Sequence, residues 1–440
     1  MHVLGRRAGD SRPAADSDTG AGDASQAGAQ STDTGDASRA GAQSTDTGDA
    51  SQAGAQSTDA RPHPSTLPTG RLGRYRAADG STGATVGVDL DRPHAGLVVG
   101  KRGYGKSYTL GVLAEAAARA EGVAPVVVDP MGVFAGLADE ATPADAASRD
   151  VTGPASVDPV PATVRTPTVA PGALSARAWP ALLGLARDSP AGSLCQHVAG
   201  RAPADATLAE WAARAADSDA SRAARRTVRN ELRRAADWGV FAPDGLRVPD
   251  LLSGGATVLD CTRLSDPALN AVVRTVAAGL YRHCVRETPA RLPWLLVDEA
   301  HACFAGVAGP ALETVLTRGR APGVSLVAAT QRPSALPDVA HSQADLLVAH
   351  RLTATPDIEA LEAVSPTYLR GSLTERLPTE PGTALVVDDT TESVHGVRIR
   401  SRATPHRGES PRASARGRTD DGDDGASASG HRASRVETTE

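Results

Sequence analysis

The chain is 440 residues long, with a formal net charge of −6, 40% hydrophobic residues and 3% aromatic ones. That length allows two or three domains, and the scarcity of aromatics counts against a surface that stacks on single-stranded bases. No apolar run approaches the ~18 residues of a membrane span and no signal peptide opens the chain, so no membrane segment is expected, and four scattered cysteines make a reducing cytoplasm the default.

Residues 1–71 carry a 13-residue repeat: "DASQAGAQSTDTG" at 23–35 returns as "DASRAGAQSTDTG" at 36–48 and as "DASQAGAQSTDA" at 49–60. Its units hold no Val, Ile, Leu or aromatic residue, so stacking them buries nothing and a solenoid is ruled out. Nine Asp against four Arg in residues 1–60 supply most of the net charge and leave the rest nearly neutral. A disordered acidic tail is expected over 1–71, and a second disordered tail over 401–440, which contains "RTDDGDDGASASGHRAS".

"GKRGYGKS" at 100–107 fits G-x-x-x-x-G-K-[ST], the phosphate-binding P-loop. Lys101 and Lys106 are the only lysines of the chain, so a chance match is expected only about 0.003 times at this composition. The context agrees, since "AGLVVG" (95–100) reads as a short strand and "KSYTLGVLAEAAARA" (106–120) as a helix that starts at the loop. Gly100, Gly103 and Gly105 let backbone N–H groups close on phosphate oxygens, with Arg102, Tyr104 and Tyr108 completing the candidate nucleotide site. Lys106 brings a compact charge to the β and γ phosphates of ATP, and the Ser107 hydroxyl is placed to ligate Mg²⁺. Arginine's planar fork is a poor substitute for Lys106 in that cradle. Lys101 either touches phosphate or is solvated.

Four further apolar runs end in polar residues. "APVVVDPMGVF" (124–134) carries Asp129, "GGATVLDCT" (254–262) Asp260, "LPWLLVDEAH" (292–301) the pair Asp298–Glu299, and "VSLVAATQRP" (324–333) Thr330–Gln331. Such runs suggest a parallel sheet with its site at the strand C-termini. Downstream of a P-loop, Asp298 would hold Mg²⁺ through water and Glu299 would orient and deprotonate the attacking water. The plainer alternative is a cap on the following helix. Gln331 is placed to touch both the γ-phosphate and the lytic water, or is an ordinary polar residue at a strand end. In "LTRGRAPG" (316–323), Arg320, or failing it Arg318, stands where an arginine finger would be offered, an interaction worth about 10³–10⁵ in rate.

Residues 157–249 read as a linker ("VDPVPATVRTPTVAPG", 157–172) and a helical insertion. In "SRAARRTVRNELRRAADW" (221–238), Arg222, Arg226, Arg229 and Arg233 fall at i, i+4, i+7 and i+11 and line one helix face. The stripe either tracks phosphates or is a solvated face with Val228, Leu232 and Ala235 packing opposite. Cys195, Cys261, Cys284 and Cys303 form no CxxC pair, so neither a zinc site nor a disulfide framework is expected. The expected fold is α/β: a RecA-like P-loop NTPase core with a mostly parallel sheet, its two parts (72–156 and 250–400) separated by the insertion.

Taken together, "GKRGYGKSYTLG", "VVVDPMG", "TVLD", "LLVDEAH", "TRGRAPGVSLVAATQRPS" and "SQADLLVAHRLT" resemble the HerA/FtsK superfamily of DNA-pumping ATPases, and most closely its archaeal HerA-like members, from about residue 85 to 407. A composition rich in Ala and Arg and poor in Lys, with an acidic tail, fits a salt-adapted archaeal source. The resemblance implies a hexameric ring around duplex DNA that hydrolyses ATP at subunit interfaces. It makes Gln331 the nucleotide sensor and lets Arg320 reach the neighbour's ATP. HerA members commonly work beside a nuclease, NurA, in resecting DNA ends. This chain has only some 25 residues where they carry a β-barrel before the P-loop, which counts against docking a NurA-like nuclease. "DPMGVF" also lacks the acidic residue that the family often has after the glycine. The letters "DEAH" do not make a DEAH-box helicase, because the roughly 70 residues between Gln331 and the tail are too few for a second RecA-like domain. The expected function is an ATP-driven DNA translocase or helicase-like motor of the HerA type. The alternatives are a nucleotide-gated scaffold that binds DNA or protein without moving, and a conjugation or viral packaging ATPase.

Overall fold

Apolar runs closed by glycine or a polar residue form the central strands of the computed structural model, which describes residues 1–6, 67–77, 79–139, 160–364, 367–368 and 371–408. The acidic repeat and the segment from 409 onward lie outside the described residues. Met1–Gly5 and the chain from Pro68 onward belong to one compact unit, and Arg6–Leu67 to a second that is almost wholly outside them.

The strands are β1 (His2–Leu4), β2 (Thr69–Arg76), β3 (Thr82–Asp89), β4 (Ala95–Val99), β5 (Val123–Asp129), β6 (Ala162–Arg165), β7 (Ala256–Asp260), β8 (Leu292–Val297), β9 (Ser325–Thr330), β10 (Leu346–Ala349), β11 (Thr383–Asp388) and β12 (Ser393–Ile399). They make one sheet in the order β1-β3-β2-β12-β11-β10-β4-β9-β8-β5-β7-β6. From β10 to β6 every pairing is parallel, whereas β11, β12, β2 and β3 extend the sheet antiparallel from β10. The segment before the P-loop thus supplies β2 and β3 to this same sheet.

The central strands are apolar throughout because both faces are covered. Leu97, Val126, Leu295 and Leu326 enter one core, and Val98, Val127, Leu296 and Val327 the other. Helix α1 (Lys106–Arg119) fills the second core with Leu110, Leu113 and Ala117. The first core takes the insertion helices α2 (Pro190–Arg201), α3 (Leu208–Ala216) and α4 (Arg222–Ala236), together with α5 (Asp266–Arg286) and α6 (Gly309–Arg318). The insertion helices start at side-chain caps: Ser189 accepts from Gly192 N–H, Thr207 from Glu210 N–H and Ser221 from Ala224 N–H, each worth about 1 kcal/mol. On α4, Ala224, Val228, Leu232 and Ala235 are buried, as the spacing of its apolar residues requires.

Three stretches differ from the sequence-based expectation. The first is β1, which pairs with β3 inside the span read as a tail; three residues are too few to register against the polar repeat. The second is β6, which lies in the stretch read as linker. Flanked by Pro161 and Pro167, it is confined to the sheet edge beside β7.

The third is the segment from Arg400 to Gly408, read mostly as tail, which straps across α1. Its polar sequence carries no apolar signal because a buried carboxylate organises it. Glu115 is fully buried and accepts from Ala403 N–H (2.9 Å), Thr404 N–H (3.0 Å), the Thr404 hydroxyl (2.7 Å) and Arg400 Nη1 (2.7 Å). Burial alone would raise its pKa, but Arg400, Thr404 and Ala403 outweigh it and hold the carboxyl below the usual range. Removing one partner of such a network leaves the others uncompensated, so Glu115→Ala should cost about 3–5 kcal/mol in urea unfolding. It should also open Arg400 and Arg402 to trypsin under native conditions. A cost below about 1 kcal/mol with an uncut strap would mean that Glu115 does not anchor it.

Candidate functional site

Parallel register delivers the strand ends to one edge. Val99 at the end of β4 stands level with Thr330 of β9 and Ala349 of β10, and Val297 of β8 with Ala328 of β9 and Val128 of β5. The P-loop therefore leaves β4 between Gln331 on one side and His350–Arg351 on the other. Asp298–Glu299 follow β8, one strand beyond β9.

The loop is held by its neighbours and open at its tip. Gly105 adopts a left-handed φ of 115° as the N-cap of α1, whose first turn has no side-chain cap and no acidic residue. Its leading N–H groups are therefore available to an anion. Gly100 packs so closely that a Cβ there would lie 2.5 Å from His350 Cβ. Lys101 N–H donates to Arg351 O at 2.7 Å.

Behind the loop, Lys106 and Asp298 are buried, with the half-buried Glu299 beside them. Lys106 is only 6% exposed; burial depresses its pKa, Glu299 and Asp298 push it back up, and Arg102 depresses it further. Asp298 is buried and its pKa is raised, chiefly by burial, against the Ser107 hydroxyl bond that favours the carboxylate. Its Oδ1 accepts from Glu299 N–H at 3.0 Å, while Oδ2 is buried with no partner. Burial also raises Glu299, against Lys106 and Arg102. Its Oε2 lies 3.4 Å from His301 Nδ1 without a hydrogen bond. Glu299 sits at a φ of 48°, in the left-handed region. A non-glycine residue there costs about 1–3 kcal/mol, which the surrounding contacts must offset; one of them is Ala300 N–H to Ala329 O at 2.9 Å.

These donors fit Mg²⁺ accompanied by nucleotide. The Ser107 hydroxyl and the partnerless Asp298 Oδ2 are the two oxygens that this chain would offer to the ion, directly or through water, and the remaining ligands would come from phosphate and solvent. Among the described residues, no group of three or more His, Cys, Asp or Glu could hold a metal by itself.

The structure thus brings together Gly100, Lys101, Arg102, Gly103, Tyr104, Gly105, Lys106 and Ser107 with Asp298 and Glu299, and sets Gln331 on the same edge. Tyr108 lies at the start of α1, with its hydroxyl accepting from Arg402 N–H at 2.7 Å. Arg320 is elsewhere. Its Nη2 donates to Asp345 Oδ2 at 2.9 Å, and Asp345 N–H in turn bonds Ala95 O where β4 begins. Five residues of β4, about 17 Å of extended chain, separate that edge from the P-loop. Arg318 is exposed at the end of α6.

No motif assigns a role to His350 and Arg351, although "LLVAHR" has the same form as the other runs: an apolar strand that ends polar. His350 is fully buried, with Nδ1 2.9 Å from Thr383 O and Nε2 2.9 Å from the Thr109 hydroxyl. A carbonyl can only accept, so Nδ1 carries the proton and Nε2 accepts from Thr109. Arg351 lies over the Tyr104 ring, 5.9 Å from its centroid. Sequence spacing alone could not show that these two residues brace the loop.

No protein-family model and no curated protein matches the chain. Among solved structures it is similar to VirB4 of Thermoanaerobacter pseudethanolicus, with 16% identity, 75% of this chain and 96% of that one covered, and a TM-score of 0.50. It is similar too to the bacterial conjugative coupling protein TrwBΔN70 (16% identity, 76% and 90% covered, TM-score 0.48). A third is the genome packaging NTPase B204 from Sulfolobus turreted icosahedral virus 2, in complex with ATP-gammaS (12% identity, 69% and 96% covered, TM-score 0.35). The VirB4 likeness shows a shared α/β fold; the other two overlap too loosely to add to it.

Burial depresses the His350 pKa to about 4, against about 6.5 in an unfolded chain. At pH 7 the ring is neutral in both states, and its contribution to stability is complete. As pH falls from 6.5 toward 4 the unfolded chain takes up a proton that the folded one refuses, so stability drops by up to about 1.4 kcal/mol per pH unit. His350→Asn should remove that share. Urea unfolding at pH 7, 6 and 5 should show a shallower loss in the variant, and parallel curves would mean that His350 is not the group.

Proposed function

We propose that the chain is an ATP-hydrolysing motor of the HerA/FtsK kind that handles duplex DNA as a ring of identical subunits. One observation carries the ATPase part: a P-loop lysine and serine meet two adjacent carboxylates at one sheet edge, each carboxylate with an oxygen lacking any hydrogen-bond partner. The DNA and ring parts rest on the sequence resemblance, and the fold shared with VirB4 is compatible with them. A partner nuclease is not part of the proposal, because the segment that would dock one is two strands of the main sheet.

In this reading the P-loop N–H groups and Lys106 hold the β and γ phosphates, with Ser107 and Asp298 on the metal side. Bound Mg²⁺ would neutralise charge on the phosphate oxygens. Glu299, its pKa raised by burial, accepts a proton from the attacking water. Gln331, one strand away, hydrogen-bonds that water and the γ-phosphate, and so senses whether the γ-phosphate is present. Arg320 is directed at the neighbouring subunit's ATP, because it stands at the edge remote from its own P-loop.

Steady-state ATP hydrolysis by the purified protein should rise several-fold on adding linear duplex DNA at low salt. Glu299→Gln should bind ATP as before but turn it over at least about 10²-fold more slowly. Hydrolysis indifferent to duplex at every salt would favour the nucleotide-gated scaffold, and unchanged turnover in Glu299→Gln would remove that residue from the role of base.

Arg320→Ala tests the subunit assignment by mixing. If the arginine serves a neighbour, small fractions of variant depress activity more steeply than dilution does. A strictly linear fall would place its action within its own chain.

A further inference from the structure

The insertion distributes its charge unevenly. Helix α4 carries six arginines and one glutamate, whereas the remainder of 166–255 carries five arginines and eight acidic residues. The single acid, Glu231, is held by Arg234. Arg225 turns back to the carbonyls of Ala216 and Ser218. The side chains of Arg222, Arg226, Arg229 and Arg233 make no hydrogen bond or ion pair with any described residue, and all but the half-buried Arg229 are exposed.

At 100° per residue these four lie within an arc of about 60°, and they span about 16 Å along the axis. Like charges at such spacings repel and destabilise a helix, and among the described residues no carboxylate pairs with them. A merely solvated face would mix its signs, as the rest of the insertion does. The opposite face of α4 is buried, so the stripe is fixed in direction. The insertion also leaves β6 at its C-terminal end, on the same sheet edge as the P-loop.

We propose that this face of α4 is a contact for the phosphate backbone of duplex DNA; the choice of duplex rests on the motor reading above. Charge density separates it from one rival, the chain's own acidic repeat; the denser run "DDGDD" at 420–424 is the rival that the test below decides. Each repeat unit offers two Asp in 13 residues, which extended is about one charge per 20 Å. Four arginines within about 16 Å would meet one such charge. A duplex presents one per ~1.7 Å, and its contacts here are to backbone only, without base reading.

The test is the salt dependence of binding, read by fluorescence anisotropy of a labelled 30-base-pair duplex with the full chain at 50–300 mM salt. The stripe variant replaces Arg222, Arg226, Arg229 and Arg233 by Gln. The control replaces Arg177, Arg187, Arg201 and Arg214 by Gln, the same charge change elsewhere on the insertion. Each phosphate contact contributes about 0.9 to the slope of log K against log salt. The stripe variant should lose about 3–4 from that slope and bind at least tenfold more weakly at 100 mM, while the control loses less than about 1. Thermal melting within a few degrees of wild type keeps misfolding out of the comparison. Equal slopes in the two variants overturn the proposal, as does a wild type that binds no duplex. So does a labelled peptide of the repeat (residues 23–48) or of the acidic run (residues 416–428) that binds wild type but not the stripe variant while the duplex slope stays unchanged. ATP hydrolysis measured alongside separates the failures. A wild type with the full slope but no hydrolysis sinks the motor reading alone, and hydrolysis with equal slopes sinks the stripe alone.

Discussion

Everything at the candidate site depends on the register of parallel strands. Neighbouring strands that run the same way end at the same edge, and hydrogen bonds fix how far each reaches. Here Val99, Thr330 and Ala349 stand level across β4, β9 and β10. The residues that follow them (the P-loop, Gln331, and His350 with Arg351) become neighbours without being close in sequence. A slip of one residue in β9 would turn every buried side chain of that strand to the wrong face. The apolar runs that fill both cores thereby also fix the geometry of the polar residues after them.

At that edge the chain keeps features that a fold selected for stability alone would discard. Asp298 Oδ2 and Glu299 Oε2 have no hydrogen-bond partner, Lys106 is nearly dehydrated, and Glu299 holds a left-handed backbone conformation. Each is unfavourable by itself. They are mutually consistent, since the desolvation that raises both carboxylates also depresses the lysine, and the opposite charges partly restore each other. The strap adds to this by clamping α1 at Glu115, nine positions beyond the P-loop lysine. Motion at the phosphate end of α1 is therefore resisted at its middle by a network of charge-assisted bonds.

The sequence was legible where one residue type has one physical use. Two lysines in 440 residues mark the P-loop, and uninterrupted Val/Leu runs mark buried strands. Asp298 and Glu299 stand out only in company: carboxylates at the end of such a run could equally cap the next helix, and it is the upstream P-loop that gives them another use. His350 followed the same rule and was passed over, because its part is to fill space against Gly100 and to bond Thr109 and Thr383, contacts that only the fold creates. The strap has no pattern of its own, for a different reason, and was reached only by the resemblance, which runs to residue 407. Its order comes from hydrogen bonds to one buried carboxylate 285 residues earlier, and hydrogen-bonded polar segments have no periodicity to read.

Arg320 shows how a position in the fold narrows a role that the sequence leaves open. It reaches the start of β4 through Asp345, with the length of that strand between it and its own P-loop, and is 73% exposed even while paired with Asp345. An ion pair that exposed contributes little to stability, so Asp345 holds the guanidinium in one place without sealing it off. Asp345 is itself fixed by His94 Nδ1 at 3.3 Å and Ala95 N–H at 3.1 Å, which ties the arginine to the strand that carries the P-loop at its other end. On the motor reading, one strand then links the loop that binds this subunit's nucleotide to the arginine offered to the next. Any shift of β4 on nucleotide binding would move both together.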